Sequence, residues 1–184
     1  MMKKTTELTT ISMFMSLVLR HQPQKIGLEL DPAGWARVED LLRLSAAVGR
    51  PFAHDDLVDV VTTSDKQRFA LSEDGLRIRA NQGHSIEVDL DLSVLVPPYE
   101  LFHGTARRFL EAILREGLSR RARHHVHLTA NRDTAIAVGT RYGAPVLLRI
   151  DAVRMHADGH VFRCSANGVW LAEAVPPRYL ETLK

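Results

Sequence analysis

The chain has 184 residues, of which 45% are hydrophobic and 25% charged, and 24 Lys+Arg against 22 Asp+Glu give a formal net charge of +2. This composition excludes disordered, collagen-like and coiled-coil proteins, and a single cysteine, Cys164, excludes an internal disulfide framework or a multi-cysteine zinc site. No apolar run approaches the roughly 20 residues of a membrane helix, and the segment 1–10 lacks the apolar core of a signal peptide, so we expect a cytoplasmic protein with no membrane partner.

The first half of the chain predicts three helices followed by a β-hairpin. Apolar residues with helical spacing favour helices over 11–18, 38–48 and 55–62. The segments 68–71 and 76–79 flank Ser72-Glu73-Asp74-Gly75, a hairpin signal with Asp-Gly in the turn. This order of elements is that of a winged helix, a fold that often handles nucleic acid, although a fold alone does not decide function.

Two consecutive prolines, Pro97 and Pro98, predict a break that divides the chain into 1–96 and 97–184. The second half predicts a small α+β domain with many loops. The patterns favour strands over 99–103, 125–128 and 145–151, short β segments around 161–164 and 168–171, and helices over 106–115 and 133–142. We expect the first of these strands to enter a turn at Gly104-Thr105, and Asn131 to cap the second helix.

The near-neutral total conceals an unequal distribution of charge. Residues 1–96 carry 11 Lys+Arg and 14 Asp+Glu, a balance of −3, whereas residues 97–184 carry 13 and 8, a balance of +5. The densest cationic stretch, 120–127, lies in the basic half. This asymmetry favours an anionic ligand there, with a solvated arginine-rich loop as the alternative.

Two short segments carry residues suited to anion chemistry. Arg20 and His21 end the first predicted helix, where cations interact favourably with the helix dipole; an arginine beside a titratable ring can equally clamp an anion. His103-Gly104-Thr105 places a ring, a flexible residue and a hydroxyl at a strand end, where glycine would let a ligand approach the backbone closely.

The histidines leave two further alternatives open. His125 and His127 alternate along a predicted strand and so share a face, and with His103 they could offer three nitrogen ligands to zinc, although no carboxylate or cysteine completes the set. The segments His103-Gly104-Thr105 and His127-Leu128-Thr129 both read His-x-Thr, which is also typical of a two-histidine phosphoesterase.

Seven segments in chain order resemble the motifs of the RNA 2′-phosphotransferase family, and they span nearly the whole chain. They are Ser16-Leu17-Val18-Leu19-Arg20-His21, Gly34-Trp35, Ser64-Asp65-Lys66-Gln67-Arg68-Phe69, Ile78-Arg79-Ala80-Asn81-Gln82-Gly83-His84-Ser85, Phe102-His103-Gly104-Thr105, Arg123-His124-His125-Val126-His127-Leu128 and Asn167-Gly168-Val169-Trp170-Leu171. Each segment is weakly specific by itself, but all seven in this order are highly specific.

The resemblance implies an α+β protein with a winged-helix-like RNA-binding lobe over 1–96 and an ADP-ribosyltransferase-like NAD-binding lobe over 97–184. It implies an NAD-dependent enzyme that removes an internal, splice-junction 2′-phosphate from RNA such as tRNA. The 2′-phosphate displaces nicotinamide from NAD to give 2′-phospho-ADP-ribosylated RNA. The ribose 2″-hydroxyl then attacks phosphorus and releases RNA 2′-OH and ADP-ribose 1″,2″-cyclic phosphate. NAD is consumed, no metal is required, and we expect a monomer.

The resemblance also implies the site residues. The essential Arg, His, Arg, Arg set of the family falls on Arg20, His21, Arg68 and Arg123. The NAD pocket falls on His103, Gly104, Thr105, His127, Thr129, Asn167, Gly168 and Val169, with Thr129 where members usually carry serine. A phosphate monoester, with a second pKa of about 6, is already an anion at neutral pH, so the nucleophile needs orientation rather than deprotonation. We expect Arg20, His21 and Arg68 to bind the 2′-phosphate and Arg123 to stabilise the second step, with general acid or base catalysis as the alternative role of His21.

Two alternative functions remain compatible with these residues. An ADP-ribosyltransferase that caps RNA or DNA 5′-phosphates would use the same NAD pocket. A catalytically inactive winged-helix RNA-binding protein would explain the hairpin and the basic loop, but would not require His103-Gly104-Thr105 and the complete arginine set together.

Overall fold

The computed structural model describes residues 2–64 and 66–183. Helix and strand are mixed, at 37% and 23%, which confirms the α+β class. The chain forms two compact units, Met1–Asp91 (unit 1) and Leu92–Lys184 (unit 2). Asp65, part of the predicted 64–69 motif, and the first residue of the predicted polar N-terminus lie outside the described residues. No helix in the described ranges is long and apolar enough to cross a membrane.

Unit 1 contains the three predicted helices and the predicted hairpin. Its elements are α1 (Met2–Arg20), β1 (Ala36–Arg37), α2 (Val38–Ala47), α3 (His54–Thr62), β2 (Phe69–Leu71) and β3 (Arg77–Ala80). The strands form an antiparallel sheet in the order β1-β3-β2. Strand β1 was not predicted, because two residues are too few to show an alternating pattern.

The core of unit 1 joins the helices to one face of this sheet. Leu19, Leu41, Leu57 and Ile78 are fully buried. The backbone then fixes the end of α1 against the base of the hairpin, because Ser85 N donates to Arg20 O at 2.9 Å. The apolar spacing of the sequence thus places the C-terminus of α1 beside the loop that follows β3.

Unit 2 is built from short strands and short helices. Its elements are β4 (Leu101–Ala106), α4 (Leu110–Glu116), β5 (Leu118–Ser119), β6 (Val126–Leu128), α5 (Arg132–Thr140), β7 (Pro145–Ile150), α6 (Ala152–Ala157), β8 (Phe162–Cys164), β9 (Trp170–Ala172), β10 (Ala174–Val175) and β11 (Leu180–Leu183). The strands pair as antiparallel sheets in the orders β11-β7-β4, β6-β9-β8 and β10-β5. Phe102 in β4 and Thr129 after β6 also exchange backbone hydrogen bonds of 2.7 and 3.0 Å. These bonds hold the end of β6 against β4.

Three expectations for unit 2 need adjustment, and one is confirmed. The predicted turn at Gly104-Thr105 is wrong, because both residues lie inside β4, which pairs with β7 along its whole length. The predicted helix over 106–115 begins as a 3-10 turn, Arg107–Phe109, and β6 begins at Val126, so His125 precedes the strand. Asn131 does cap α5, since Asn131 Oδ1 accepts from Thr134 N at 2.8 Å.

Candidate functional site

Arg20 and Arg68, which are distant in sequence, are joined in unit 1. Arg20 Nη2 donates to the carbonyl oxygen of Arg68 at 3.1 Å, and the Arg20 guanidinium lies 5.6 Å from the centre of the Phe69 ring. Arg68 Nη1 donates to Ser64 Oγ at 3.3 Å. Both arginines are half-buried. The two guanidinium groups therefore place two positive charges with planar donor geometry at the end of α1 and the start of β2.

His21 is oriented by the loop that follows β3. His21 Nδ1 lies 2.9 Å from Ser85 Oγ, while the Ser85 backbone N–H donates to Arg20 O at 2.9 Å. One residue therefore positions both the end of α1 and the imidazole beside it. Sequence reasoning did not select Ser85 as a site residue, although it lies inside a segment that carries the family resemblance.

The backbone ahead of Arg68 is held in an uncommon conformation. Gln67 has φ 39°, in the left-handed region that non-glycine residues seldom adopt. Asn81, which is 7% exposed, stabilises it: Asn81 Nδ2 donates to Gln67 O at 2.6 Å, and Asn81 N donates to Arg68 O at 2.9 Å. Asn81 in the loop after β3 therefore holds the backbone on both sides of the Gln67–Arg68 peptide bond and sets the direction of Arg68.

In unit 2 a chain of hydrogen bonds joins Arg123, His127 and His103. Arg123 Nη1 donates to His127 Nδ1 at 3.3 Å. His103 Nδ1 lies 3.0 Å from the carbonyl oxygen of His127. Because an arginine can only donate and a carbonyl can only accept, the first contact makes His127 Nδ1 an acceptor and the second places a proton on His103 Nδ1. Three of the predicted site residues are therefore connected, although their side chains come from a loop and two strands.

The surroundings of His103 favour its neutral form. Burial lowers the pKa of the ring below its ordinary value, the hydrogen bond to His127 opposes this, and the Arg123 cation lowers the pKa further. At neutral pH His103 is consequently an uncharged ring with its proton on Nδ1 and a lone pair on Nε2. The pKa of His125 is lowered too, first by burial and then by Arg163.

The geometry gives no support to the zinc alternative. Within residues 2–64 and 66–183, no group of three or more His, Cys, Asp or Glu side chains is placed to hold a metal ion. Two of the three proposed ligands, His103 and His127, instead make the contacts just described through their Nδ1 atoms.

Threonine hydroxyls and a tight turn account for most of the other predicted pocket residues. Thr105 is 6% exposed in β4, and Thr129 Oγ1 accepts from Asn131 N at 3.1 Å, which closes the turn into α5. Asn167-Gly168-Val169 forms the turn between β8 and β9. It is organised by Ser165, whose Oγ lies 2.7 Å from Asn167 Oδ1 and accepts from Val169 N at 3.2 Å. Gly168 has φ 75°, which explains a glycine in this turn.

Gly104 is required by packing within unit 2. A Cβ atom at this position would lie 1.6 Å from the carbonyl oxygen of Ala135 and 3.0 Å from the backbone nitrogen of Gly139. A Cβ atom at Gly139 would in turn lie 2.7 Å from Thr105 O. Helix α5 therefore occupies the space that the sequence suggested for a ligand at Gly104. Gly139 was not selected from the sequence, and a lone glycine in a helical pattern would have been its only signal.

Comparison with known proteins gives a consistent result. The chain matches the model of the family "RNA 2'-phosphotransferase, Tpt1 / KptA family" over residues 6–174. It is 58% identical over 172 residues to a protein of Agrobacterium fabrum, covering 94% of this chain and 92% of the relative, and 54% identical over 177 residues to one of Streptomyces griseus, covering 92% and 94%. A relative from Nostoc punctiforme is 47% identical over 178 residues, which cover 97% of this chain and 98% of the relative. All three relatives carry the name "Probable RNA 2'-phosphotransferase".

Proposed function

Since the chain belongs to the RNA 2′-phosphotransferase family, we propose that it removes a 2′-phosphate from RNA by transferring it to the ADP-ribose part of NAD. The observation that carries the proposal is the contact of Arg20 with Arg68, with His21 held beside them by Ser85. An internal 2′-phosphate is a compact dianion, and two arginines with an adjacent imidazole match its charge and its oxygen acceptors.

We assign the grip on the 2′-phosphate to Arg20, His21 and Arg68. The Arg20 guanidinium is restrained by the Arg68 carbonyl and the Phe69 ring, so little side-chain entropy remains to be lost on binding. Orientation is what this nucleophile requires, because the phosphate is already ionised at neutral pH. The oriented oxygen attacks the anomeric carbon of the nicotinamide riboside, and nicotinamide leaves.

NAD fits the chemistry of the residues proposed to hold it. The set His103, Thr105, His127, Thr129, Asn167, Gly168 and Val169 contains no carboxylate, and it offers imidazole, hydroxyl, amide and backbone donors. Gly104, which the resemblance implies with them, does not admit a ligand at its α-carbon, because α5 fills that space. An uncharged, polar set of this kind suits ribose hydroxyls and a pyrophosphate. NAD supplies an electrophilic carbon with a good leaving group, and a neighbouring 2″-hydroxyl.

Arg123 is proposed to act in the second step, in which the 2″-hydroxyl attacks phosphorus and RNA leaves with a free 2′-hydroxyl. Negative charge accumulates on the phosphoryl oxygens, and a donor held in place for that charge is worth about 3–4 kcal/mol by analogy with an oxyanion donor. The bond from Arg123 to His127 restrains the guanidinium before the reaction starts. The products are RNA 2′-OH and ADP-ribose 1″,2″-cyclic phosphate.

The roles of the two parts of the chain follow from these assignments as proposals. Residues 1–96 act as a winged-helix-like RNA-binding lobe, which the order of three helices and a hairpin in unit 1 supports. Residues 97–184 act as an ADP-ribosyltransferase-like lobe for NAD. The proposed substrate is an RNA with a splice-junction 2′-phosphate, such as a tRNA.

The test is conversion of a short RNA with one internal 2′-phosphate, with and without NAD. The proposal expects equal amounts of nicotinamide and 2′-hydroxyl RNA, together with the cyclic phosphate of ADP-ribose, in a strictly NAD-dependent reaction. The matched control is the same RNA with its phosphate at the 5′-end. Faster ADP-ribosylation of that 5′-phosphate would favour the capping alternative, and RNA binding without any product would favour an inactive binding protein.

A further inference from the structure

One face of the small sheet in unit 1 carries a group of side chains that the proposed reaction does not use. In the β1–β3 register Ala36 faces Ile78 and Arg37 faces Arg77. Side chains alternate along strands, so Arg77 and Arg79 lie on the face opposite to the buried Ile78, and Arg37 lies on the same outer face. Continued by one residue, the register places Trp35 opposite Arg79. We call Trp35, Arg37, Arg77 and Arg79 the outer-face patch.

Trp35 is the centre of this patch. The Arg79 guanidinium lies 4.6 Å and the Arg77 guanidinium 5.4 Å from the centre of the Trp35 ring. Trp35 is itself held by a turn in which Asp31 Oδ1 accepts from Trp35 N at 2.9 Å. Stacking on an aromatic ring directs a guanidinium while leaving its edge donors available.

The charge of Arg77 and Arg79 is not balanced locally. Among the described residues, no carboxylate lies within 4 Å of either guanidinium. Of the three arginines in the patch, only Arg37 forms an ion pair with a described residue, with Glu39 at 3.3 Å. Asp74 in the hairpin turn acts on Arg77 only from farther away: its pKa is lowered mainly by the Ser72 hydroxyl and in smaller part by Arg77. The two positive charges of Arg77 and Arg79 lie against the same Trp35 ring and repel each other, and a bound anion would reduce this repulsion.

A buried donor points to the same conclusion. Arg79 Nε is buried and makes no hydrogen bond with any described residue. Buried polar groups in native proteins nearly always have a partner, so the Arg79 guanidinium has fewer acceptors among the described residues than its donors require. Arg77 and Arg79 are two positions apart on β3, roughly 7 Å, which suits adjacent phosphates of one strand.

The strand that carries Arg77 and Arg79 also leads to the backbone of Arg68. Asn81 N donates to Arg68 O at 2.9 Å, which continues the β2–β3 pairing by one step beyond Phe69 and Ala80. Arg68 itself precedes β2, and its side chain contacts Ser64 at the end of α3. On β3, Arg79 is therefore the outer-face arginine nearest to the Arg68 backbone, and Arg77 follows it. The small Ala70 faces Arg79 across the hairpin and leaves room above the sheet.

We propose that the outer-face patch binds phosphodiester groups of the RNA strand whose 2′-phosphate is held by Arg20, His21 and Arg68. This inference rests on the proposed function. It assigns Arg79 and Arg77 to the phosphates next to the reacting nucleotide and Trp35 to the orientation of both guanidinium groups. The partner is the RNA backbone rather than an acidic protein segment, because two arginines stacked on one aromatic ring, at the spacing of adjacent phosphates, match a regularly charged strand.

The test is binding of fluorescent single-stranded RNA in the absence of NAD. One RNA has ten nucleotides with a central 2′-phosphate and the other is a trinucleotide with the same group. The variants are Arg79→Ala, Arg77→Ala and Trp35→Leu. The matched control is Arg43→Ala, which removes the same charge from exposed α2, where Arg43 pairs with Asp40. Arg79→Ala should raise the Kd for the ten-nucleotide RNA about tenfold, which is the value of one charge-assisted contact. The Kd for the trinucleotide should rise by a factor at least five times smaller, that is, by about twofold or less. The slope of the logarithm of the binding constant against the logarithm of the salt concentration should become shallower by about 0.7 for each phosphate contact that the variant loses.

Two results would overturn the inference. In the first, Arg79→Ala and Arg43→Ala weaken binding of the ten-nucleotide RNA equally. In the second, Arg79→Ala weakens binding of the ten-nucleotide RNA and of the trinucleotide equally. A ten-residue oligoglutamate that competes as well as the RNA would overturn it in favour of an acidic protein partner. Thermal melting of Arg79→Lys tests whether a loss of binding reflects misfolding. This variant keeps the positive charge but loses the planar two-point geometry of the guanidinium. It should therefore fold normally and still bind the ten-nucleotide RNA more weakly than the intact protein. Binding is measured without NAD, so it can be separated from activity. If the protein bound RNA through Arg79 but converted no 2′-phosphorylated RNA, the proposed function would be refuted and the inference about the outer-face patch would remain valid.

Discussion

His103 donates its Nδ1 proton to the carbonyl oxygen of His127 across 3.0 Å. The same His127 accepts a hydrogen bond from Arg123 through its ring. One residue thus fixes the tautomer of His103 with its backbone and the direction of Arg123 with its side chain. The side chains proposed for NAD and for the second step are therefore coupled, and this coupling can be measured.

The titration of His103 should reveal its environment directly. Because burial and then Arg123 disfavour the imidazolium, the midpoint of the His103 ring resonance in an NMR titration should lie below 6.5. Removing the cation by Arg123→Ala should raise that midpoint while leaving it below 6.5, since burial is the larger cause. A midpoint above 6.5 in the intact protein would contradict the burial of this ring.

The same shift has a consequence for stability. In the unfolded chain His103 binds its proton near pH 6.5, whereas in the folded protein it does so only at lower pH. Between these values the unfolded state holds more protons, so stability is complete above pH 6.5 and declines as the pH falls through the folded-state pKa. Urea unfolding at pH 7.5 and 5 should show a smaller decline for His103→Gln than for the intact protein. Identical declines would show that His103 does not contribute.

Arg123→Ala should separate the two proposed chemical steps. If Arg123 acts only in the second step, the attack of the 2″-hydroxyl on phosphorus, the variant should still release nicotinamide but accumulate 2′-phospho-ADP-ribosylated RNA. The rate of the second step should fall by a factor of about 10² to 10³. Rapid-quench analysis of labelled RNA would follow the intermediate. Arg120→Ala is the control, since it removes a charge from the same loop. If Arg123→Ala blocked nicotinamide release as strongly as Arg20→Ala, the division of roles would be wrong.

The sequence predicts α2 well from its helical spacing and the hairpin of unit 1 from its Asp-Gly turn, whereas α1 begins at Met2, nine residues before the apolar pattern that predicts it. It fails at Gly104, because a glycine after a polar strand end has the local signature of a turn, while the true cause is the Ala135 carbonyl in α5. Residues that act through long-range contacts leave little local trace. Ser85 and Trp35 entered only as members of motifs, and their partners, His21 and Arg79, are visible only once the chain has folded.

Ser85 is expected to be a positioning residue for His21. Ser85→Ala removes the hydroxyl that lies 2.9 Å from His21 Nδ1 but keeps the backbone bond to Arg20, so activity should fall by about 5- to 20-fold, the value of one lost side-chain hydrogen bond. Ser85→Thr, which keeps a hydroxyl, should restore most of the rate. His21→Ala gives the upper limit of the effect. Ser85→Ala on a His21→Ala background should then cost nothing further, and an undiminished second loss would show that Ser85 acts through another group.

Gly104→Ala should destabilise the protein more than glycine replacement at an open turn. The new methyl group would meet the Ala135 carbonyl oxygen at 1.6 Å, and the obstacle is helix backbone, so β4 and α5 must separate. Overpacking of this kind costs about 3 kcal/mol or more. Gly49→Ala is the control: its Cβ meets nothing within 4 Å, and its φ of 73° should cost about 1–2 kcal/mol. Urea unfolding of the two variants would give the difference. A Gly104→Ala protein as stable as Gly49→Ala would mean that α5 moves away from β4 at little cost, and the close packing of these two elements would then no longer explain glycine at position 104.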